Sequence, residues 1–186
     1  MIQLKDLIYK VPIVAVAGNL FVKVKYIHKD SRDVKKNSLF IAIDGGNHNG
    51  HDFIDASIDS GAKVIVCSEI PDKKNQFVTY IKVSDVRKSM SIIASNFYDN
   101  PSKKIKLIGI TGTNGKTTVA TLLFNIFNNQ NKNAGLISTI NIKYAGEIIS
   151  SKNTTPDILS INHFLSQMVK NNIKYCFMEV SSHGIS

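Results

Sequence analysis

The chain has 186 residues, enough for one large domain or two small ones with a sizeable core. Apolar residues make up 43% and charged residues 20%, which argues against disorder, and no apolar run approaches the length of a membrane span. The formal net charge is +9, but the lysines are scattered in ones and twos beside two arginines. That pattern suits a lysine-rich surface or a highly anionic small substrate better than nucleic acid.

The opening MIQLKDLIYK places charged residues ahead of any apolar run and has no small-residue cleavage site, so no signal peptide is expected. Strand-like runs follow at Phe21–His28 and Ser38–Asp44, and Gly45-Gly46-Asn47-His48-Asn49-Gly50 is a glycine-rich loop. Asp52–Ser60 reads as a short helix closed by Gly61, with His51 capping or covering it. Ala62–Cys67 and Phe77–Val83 read as two further strands. Ser84 or Asp85 can cap a helix running to about Tyr98, with Val86, Met90, Ile93, Ala94 and Phe97 on one face. Cys67 and Cys176 each sit inside an apolar run, as reduced core residues of a cytoplasmic protein do.

Asp99-Asn100-Pro101-Ser102-Lys103-Lys104 interrupts the pattern and is the candidate linker, which puts domains at 1–100 and 105–186. Beyond it come a strand at Lys106–Thr111, a helix at Thr117–Asn128 and a strand at Gly135–Ile140. A long connection, a helix at Asp157–Lys170 and a strand at Tyr175–Val180 complete the series. In the first helix Val119, Leu122, Leu123, Ile126 and Phe127 are expected on one face. The fold class is therefore α/β: a small mixed α/β domain, then a parallel-sheet domain with right-handed crossovers that stops soon after a strand and reads as incomplete.

The segment LIGITGTNGKTTVATLL has the context of a phosphate loop: buried strand, glycine turn, helix. Gly112, Thr113, Asn114, Gly115, Lys116, Thr117 and Thr118 would hold ATP, with backbone N–H groups converging on phosphate oxygens at a helix N-terminus. Lys116 can reach the β- and γ-phosphates, and the Thr117 hydroxyl can ligate Mg²⁺. The general G-x-x-x-x-G-K-[ST] pattern asks for glycine where Ile110 stands, so only the shorter TGTNGKTT form is intact. Glu179, ending an apolar strand of the same sheet, is the acidic partner expected near the metal; the bland alternative is a solvent-facing glutamate at a strand end.

TGTNGKTT, taken with Asn153-Thr154-Thr155-Pro156-Asp157 and Met178-Glu179-Val180-Ser181-Ser182-His183, resembles the Mur ligases, and within them those that add the third amino acid to UDP-N-acetylmuramoyl-L-alanyl-D-glutamate. Asp30-Ser31-Arg32 followed by SLFIAIDGGNHNGHDFI and a GAKVIV strand is similar to the family's UDP-binding domain, and the likeness covers nearly the whole chain.

The resemblance implies a set of roles. Ser31, Gly46, Asn47 and His48 would contact the uridine nucleotide, and Asn153, Thr154, Thr155 and Ser181 the muramoyl-peptide. Thr117 and Glu179 would hold Mg²⁺, and Lys116 and Glu179 form the catalytic pair. From the residues alone, Asn153–Asp157 also reads as a loop with Asp157 at a helix start, and Asp30 with Arg32 as a surface ion pair. His183 stays outside the catalytic set. The implied reaction is ATP-dependent acyl transfer through an acyl phosphate, in a cytoplasmic, monomeric enzyme of peptidoglycan synthesis whose partners are small molecules: UDP-muramoyl-dipeptide, ATP and meso-diaminopimelate or L-lysine. The carbamylated lysine and the amino-acid-selecting domain of the family would lie past Ser186, so these 186 residues are expected to be inactive alone. Rival readings are another Mur-type or folylpolyglutamate-type ligase, and a phosphate-loop kinase or NTPase.

Overall fold

In a computed structural model, residues 1–45, 49–150 and 156–180 are described. They fall into two compact units, Met1–Phe97 and Tyr98–Ser186.

The first unit opens with β1 (Ile2–Gln3) and α1 (Leu4–Leu7), followed by β2 (Ile13–Ala17), β3 (Lys23–Val24) and β4 (Tyr26–His28). β5 (Ser38–Ile41), α2 (Ile54–Asp59), β6 (Ala62–Cys67), β7 (Thr79–Val83) and α3 (Val86–Phe97) complete it. The five-stranded sheet runs β2-β7-β6-β5-β4. β4 through β7 are mutually parallel, and only β2 is antiparallel, on β7. Parallel strands covered on both faces need unbroken apolar sequence, and every residue of β5 is buried. One face packs Phe40, Ile65 and Tyr80 against Ile54 of α2. α3 buries Val86, Met90, Ile93 and Ala94 and packs on α1. The Asn96 amide donates to the carbonyls of Leu7 (2.9 Å) and Tyr9 (2.8 Å), tying α3 to the end of α1 and the residues that follow it.

Three expectations shift here. The run Phe21–His28 is two short strands broken at Lys25, whose amide donates to the Asn37 carbonyl instead of a ladder partner. The helix expected at Asp52–Ser60 begins as a 3-10 turn, Gly50–Phe53, before α2. β2 was not anticipated; its partner lies more than sixty residues downstream, and it leaves Val14 59% exposed at the sheet edge.

The second unit comprises β8 (Lys106–Ile110), α4 (Lys116–Asn129), β9 (Ala134–Ile137), β10 (Asn141–Tyr144), β11 (Glu147–Ser150), α5 (Ile158–Lys170) and β12 (Tyr175–Glu179). Its sheet runs β11-β10-β9-β12-β8. β9, β12 and β8 are parallel, as right-handed crossovers require. The long connection expected after β9 carries the hairpin β10–β11, which adds two antiparallel strands, so this sheet is mixed. Its turn residues Ala145 and Gly146 both have positive φ (47° and 83°), the two-residue geometry that matches strand twist.

Alternate side chains of the parallel strands face opposite helices. Ile108, Leu136 and Phe177 meet Ala120, Leu123, Phe124 and Phe127 of α4. Leu107, Ile137 and Cys176 meet Leu165 and Met168 of α5. Phe127 lies edge-on to Tyr175 (4.9 Å) and Phe177 (5.0 Å), a favoured aromatic geometry. The expected single face of α4 is thereby corrected: Leu123 and Phe127 point at the sheet, whereas Val119, Leu122 and Ile126 are 45%, 57% and 41% exposed. A helix apolar around most of its circumference has two overlapping stripes at the 3.6-residue period, and sequence periodicity cannot choose between them. Cys67 and Cys176 are both free and fully buried, one in each unit.

Candidate nucleotide-binding site

β8 ends at Ile110, and the chain turns through Thr111–Gly115 into α4. Gly112 has φ +143° and Gly115 φ +80°, a left-handed conformation in which an L side chain is strained. A Cβ at Gly115 would meet nothing within 4 Å, so the demand for glycine is conformational rather than steric. Gly115 caps α4 without any side-chain hydrogen bond to the first turn. The leading N–H groups of α4 therefore keep their donor capacity beside the positive end of the helix dipole, which is the equipment for an anion. Gly112–Gly115 are exposed, Lys116 and Thr117 half-buried and Thr118 exposed. The Lys116 ammonium folds back on the loop, donating to the carbonyls of Gly112 (2.7 Å) and Thr113 (3.2 Å). An ammonium bonded to neutral carbonyls in solvent reach can exchange them for phosphate oxygens and gain charge-assisted bonds.

Glu179 is the last residue of β12 and pairs in parallel register with Ile110, the last residue of β8. It is 6% exposed, and neither carboxylate oxygen has a hydrogen-bond partner among the described residues. A buried carboxylate without donors is costly unless a cation compensates it. One carboxylate, one hydroxyl and ligand phosphates is the usual donor set for Mg²⁺, which keeps few protein ligands. Among the described residues no cluster of three or more His, Cys, Asp or Glu could hold a metal by itself. This chemistry fits Mg²⁺, for which Thr117 and Glu179 are the candidate protein donors.

In the first unit Ser31 sits half-buried in the 3-10 turn Ser31–Asp33. Asp30 caps that turn, accepting from the Arg32 amide (3.0 Å) and from Arg32 Nε (2.9 Å). The Arg32 guanidinium holds the Asp30 carboxyl down at about 2. The ion-pair reading of Asp30 and Arg32 is therefore realised, and it fixes the turn that presents Ser31. Nearby on β4, burial pushes the His28 imidazole below its usual range, and its Nε2 has no partner among the described residues.

Gly46, Asn47, His48, Asn153, Thr154, Thr155, Ser181 and His183 lie outside the described residues. Asp157 does cap α5, accepting from the amides of Leu159 (2.9 Å) and Ser160 (3.1 Å). Sequence reading missed the contacts that hold the ends of the glycine-rich loop. Arg87 donates to the Asp44 carbonyl (3.1 Å), and the His51 ring touches Asp44 and Asn49. Residues 43 positions apart leave no local signal of such a contact.

Comparison with known proteins adds the following. The Mur ligase family catalytic-domain profile matches residues 23–98, and the Mur ligase middle-domain profile residues 110–186. A UDP-N-acetylmuramoyl-L-alanyl-D-glutamate–2,6-diaminopimelate ligase of Cytophaga hutchinsonii is 46% identical over 183 residues, covering 98% of this chain and 38% of that protein. A Clostridium acetobutylicum ligase of the same name is 44% identical with the same coverage. The chain therefore spans about 38% of the length of these relatives. A solved structure of a UDP-N-acetylmuramoyl-L-alanyl-D-glutamate–2,6-diaminopimelate ligase superposes with TM-score 0.78 at 21% identity, over 99% of this chain and 37% of that one. A MurF ligase from Thermotoga maritima in complex with ADP gives 0.56 at 20% identity, over 86% and 32%. At these identities the two structures speak to the fold alone.

Proposed function

The chain belongs to the Mur ligase family, and from that premise we propose that it is the uridine-nucleotide-binding and ATP-binding part of a ligase that adds the third amino acid to UDP-N-acetylmuramoyl-L-alanyl-D-glutamate. The relatives that match at 46% and 44% identity carry the name of 2,6-diaminopimelate ligases, which favours diaminopimelate over L-lysine as that amino acid. The domain division is 1–100 for the uridine nucleotide and 105–186 for ATP.

The observation that carries the reading is the buried Glu179 carboxylate, without a partner among the described residues, on the strand end paired with the root of the Gly112–Thr118 loop. The chemistry is a phosphoryl transfer followed by an acyl transfer. The γ-phosphoryl of ATP passes to the γ-carboxylate of the D-glutamate, giving an acyl phosphate and ADP. The incoming amine attacks the acyl carbon, inorganic phosphate leaves with the C–O electron pair, and an amide forms. The leading α4 amides and Lys116 bind and orient the phosphates, with Lys116 trading the Gly112 and Thr113 carbonyls for phosphate oxygens. Thr117 and Glu179 would hold Mg²⁺, which would supply neutralisation of phosphate charge when bound. Ser31, Gly46, Asn47 and His48 hold the uridine nucleotide, and Asn153, Thr154, Thr155 and Ser181 the muramoyl-peptide. Among the described residues no helix is long and apolar enough to cross a membrane. A cytoplasmic, monomeric enzyme acting on small molecules is part of the proposal.

The test is calorimetric titration of the 186-residue chain with ATP plus Mg²⁺ and with UDP-N-acetylmuramoyl-L-alanyl-D-glutamate. Both are expected to bind, without turnover by this segment on its own. Binding of ATP with indifference to the uridine ligand would favour a phosphate-loop kinase or NTPase and sink the ligase reading.

A further inference from the structure

The positive charge of the chain is not spread evenly. Residues 23–36 carry six cationic side chains, Lys23, Lys25, Lys29, Arg32, Lys35 and Lys36, against Asp30 and Asp33. The remainder of the first unit holds eight cationic and eight acidic residues, so this one stretch supplies all of that unit's excess. All six cationic residues are exposed. The stretch runs through β3, β4 and the turn Ser31–Asp33, and β4 is an edge strand of the five-stranded sheet. The Lys25 amide donates to the Asn37 carbonyl at 2.8 Å, which folds the chain after the turn back beside the chain before β4.

That return brings two ammoniums to one ring. Lys25 Nζ lies 5.1 Å from the centroid of Tyr26, and Lys35 Nζ lies 5.9 Å from it. The ring attracts each cation, but two like charges sharing it repel one another. Asp30 is engaged elsewhere, accepting from Arg32 Nε at 2.9 Å. Among the described residues Lys23, Lys25, Lys35 and Lys36 have no ion pair. Uncompensated charge gathered on a surface is relieved by an anion, and its field reaches into solvent ahead of any contact. Lysines along an edge strand also deter a second chain from adding to it. Lys35 and Lys36, however, stand between the turn and β5, off that edge.

The turn that presents Ser31 lies inside this ledge, with Lys29 before it and Lys35 and Lys36 after it. We propose that the lysine ledge around β4, centred on Lys25 and Lys35, is an electrostatic capture surface that draws a multiply anionic ligand, the uridine diphosphate substrate, toward the Ser31 turn. This rests on the proposed function, which assigns Ser31 to that ligand. The diphosphate and the two carboxylates of the D-glutamate give the ligand the charge on which such a field acts. Long-range attraction speeds encounter and leaves escape of the docked ligand largely unchanged, so the ledge acts on the association rate. Nucleic acid is the less favoured occupant. Single strands need rings on which bases stack, and the Tyr26 ring is engaged by ammoniums instead.

The experiment measures association and dissociation rates of UDP-N-acetylmuramoyl-L-alanyl-D-glutamate by stopped flow, and separately those of ATP with Mg²⁺. Each is run in about 0.01 M and about 1 M salt, where charges act over roughly 30 Å and roughly 3 Å. Wild type is compared with K25Q/K35Q, with K25E/K35E and, as an equal loss of charge elsewhere in the unit, with K73Q/K74Q. At low salt K25Q/K35Q is expected to slow uridine-ligand association roughly threefold, and K25E/K35E about tenfold or more. Dissociation should stay within about twofold of wild type, and high salt should erase the differences. K73Q/K74Q, and ATP binding in every variant, should match wild type. Should the reversed pair fail to fold, the neutral pair, which deletes charge at exposed positions, carries the test. Uridine-ligand association that is unchanged in the ledge variants, or slowed equally by K73Q/K74Q, overturns the ledge and leaves the proposed function standing. So does single-stranded oligonucleotide binding that the ledge variants abolish while uridine-ligand association holds. A wild-type chain that binds ATP but not the uridine ligand overturns the proposed function and this inference together.

Discussion

Glu179 stands opposite Ile110 in the parallel pairing of β12 with β8, and the Val180 amide donates to the Ile110 carbonyl at 2.9 Å. This single register places a buried carboxylate, without a partner among the described residues, beside the strand end from which the phosphate loop departs. A slip of one residue would turn that side chain to the other face of the sheet. The placement of charge is therefore a product of strand pairing, and it can be probed without disturbing the loop.

Glu179→Gln removes the charge and keeps the shape. Since the carboxylate is buried without a partner among the described residues, the variant is expected to match or exceed wild type in melting temperature without ligand. Its nucleotide affinity in the presence of Mg²⁺ should fall at least tenfold, with little change in the presence of EDTA. Equal loss with and without the metal would remove Glu179 from the cation site.

Lys116→Met keeps the stem of the side chain and deletes its charge. Charge-assisted hydrogen bonds contribute about 1.5–3 kcal/mol, so ATP affinity should drop by roughly one to two orders of magnitude. The unfolding midpoint should barely move, because the deleted bonds to Gly112 and Thr113 carbonyls lie in an exposed loop. Calorimetry and a thermal melt on one sample decide both halves.

Burial holds both His28 and His163 below the ordinary histidine pKa. Each takes up a proton more readily when unfolded, so the stability they contribute is complete above the unfolded value of about 6.5 and is lost as pH falls toward the lowered folded values. Asp30, held at about 2, begins to cost stability only under much stronger acid, below about pH 4. Melting temperatures should therefore decline from neutral pH to pH 5. Replacing His163, which lies edge-on to Tyr98 at 5.7 Å, by Phe should flatten part of that decline. An unaltered pH profile would refute the assignment.

The two stripes of α4 predict opposite outcomes for two neighbouring truncations. Phe127→Ala vacates the contacts with Tyr175 and Phe177 and should cost a large share of the ~3–5 kcal/mol typical of a buried phenylalanine. Leu122→Ala, at a position 57% exposed, should stay within about 0.5 kcal/mol of wild type. Denaturant midpoints of the two variants separate the faces.

Much of this was legible because its signals are local. The strand, loop and helix at 106–129 announce themselves through β-prone residues, two glycines and an apolar period, and Asp157 caps α5 through the rule that places acidic residues at helix starts. The TGTNGKTT motif likewise carries its chemistry within eight consecutive residues. What escaped was set by distant partners or by a turn of unusual composition. β2 exists because Thr79–Val83 offers it an edge, the β10–β11 hairpin turns on two positive-φ residues without the usual Asn-Gly pair, and the Glu69 amide reaches the His51 ring across eighteen residues. The choice between the two stripes of α4 likewise waited on the sheet it packs against.

The two buried thiols have a use that their inertness supplies. Burial lifts Cys67 to about 11 and Cys176 to about 12, so neither offers thiolate to a reagent while its strand stays in place. Each compact unit thus contains one silent sulfhydryl that an alkylating agent can tag only after that unit opens. Mass spectrometry of the tagged peptides would time the opening of β6 and β12 independently, in one tube and with no engineered label. A ligand acting on one unit would then declare itself by slowing one tag and leaving the other alone.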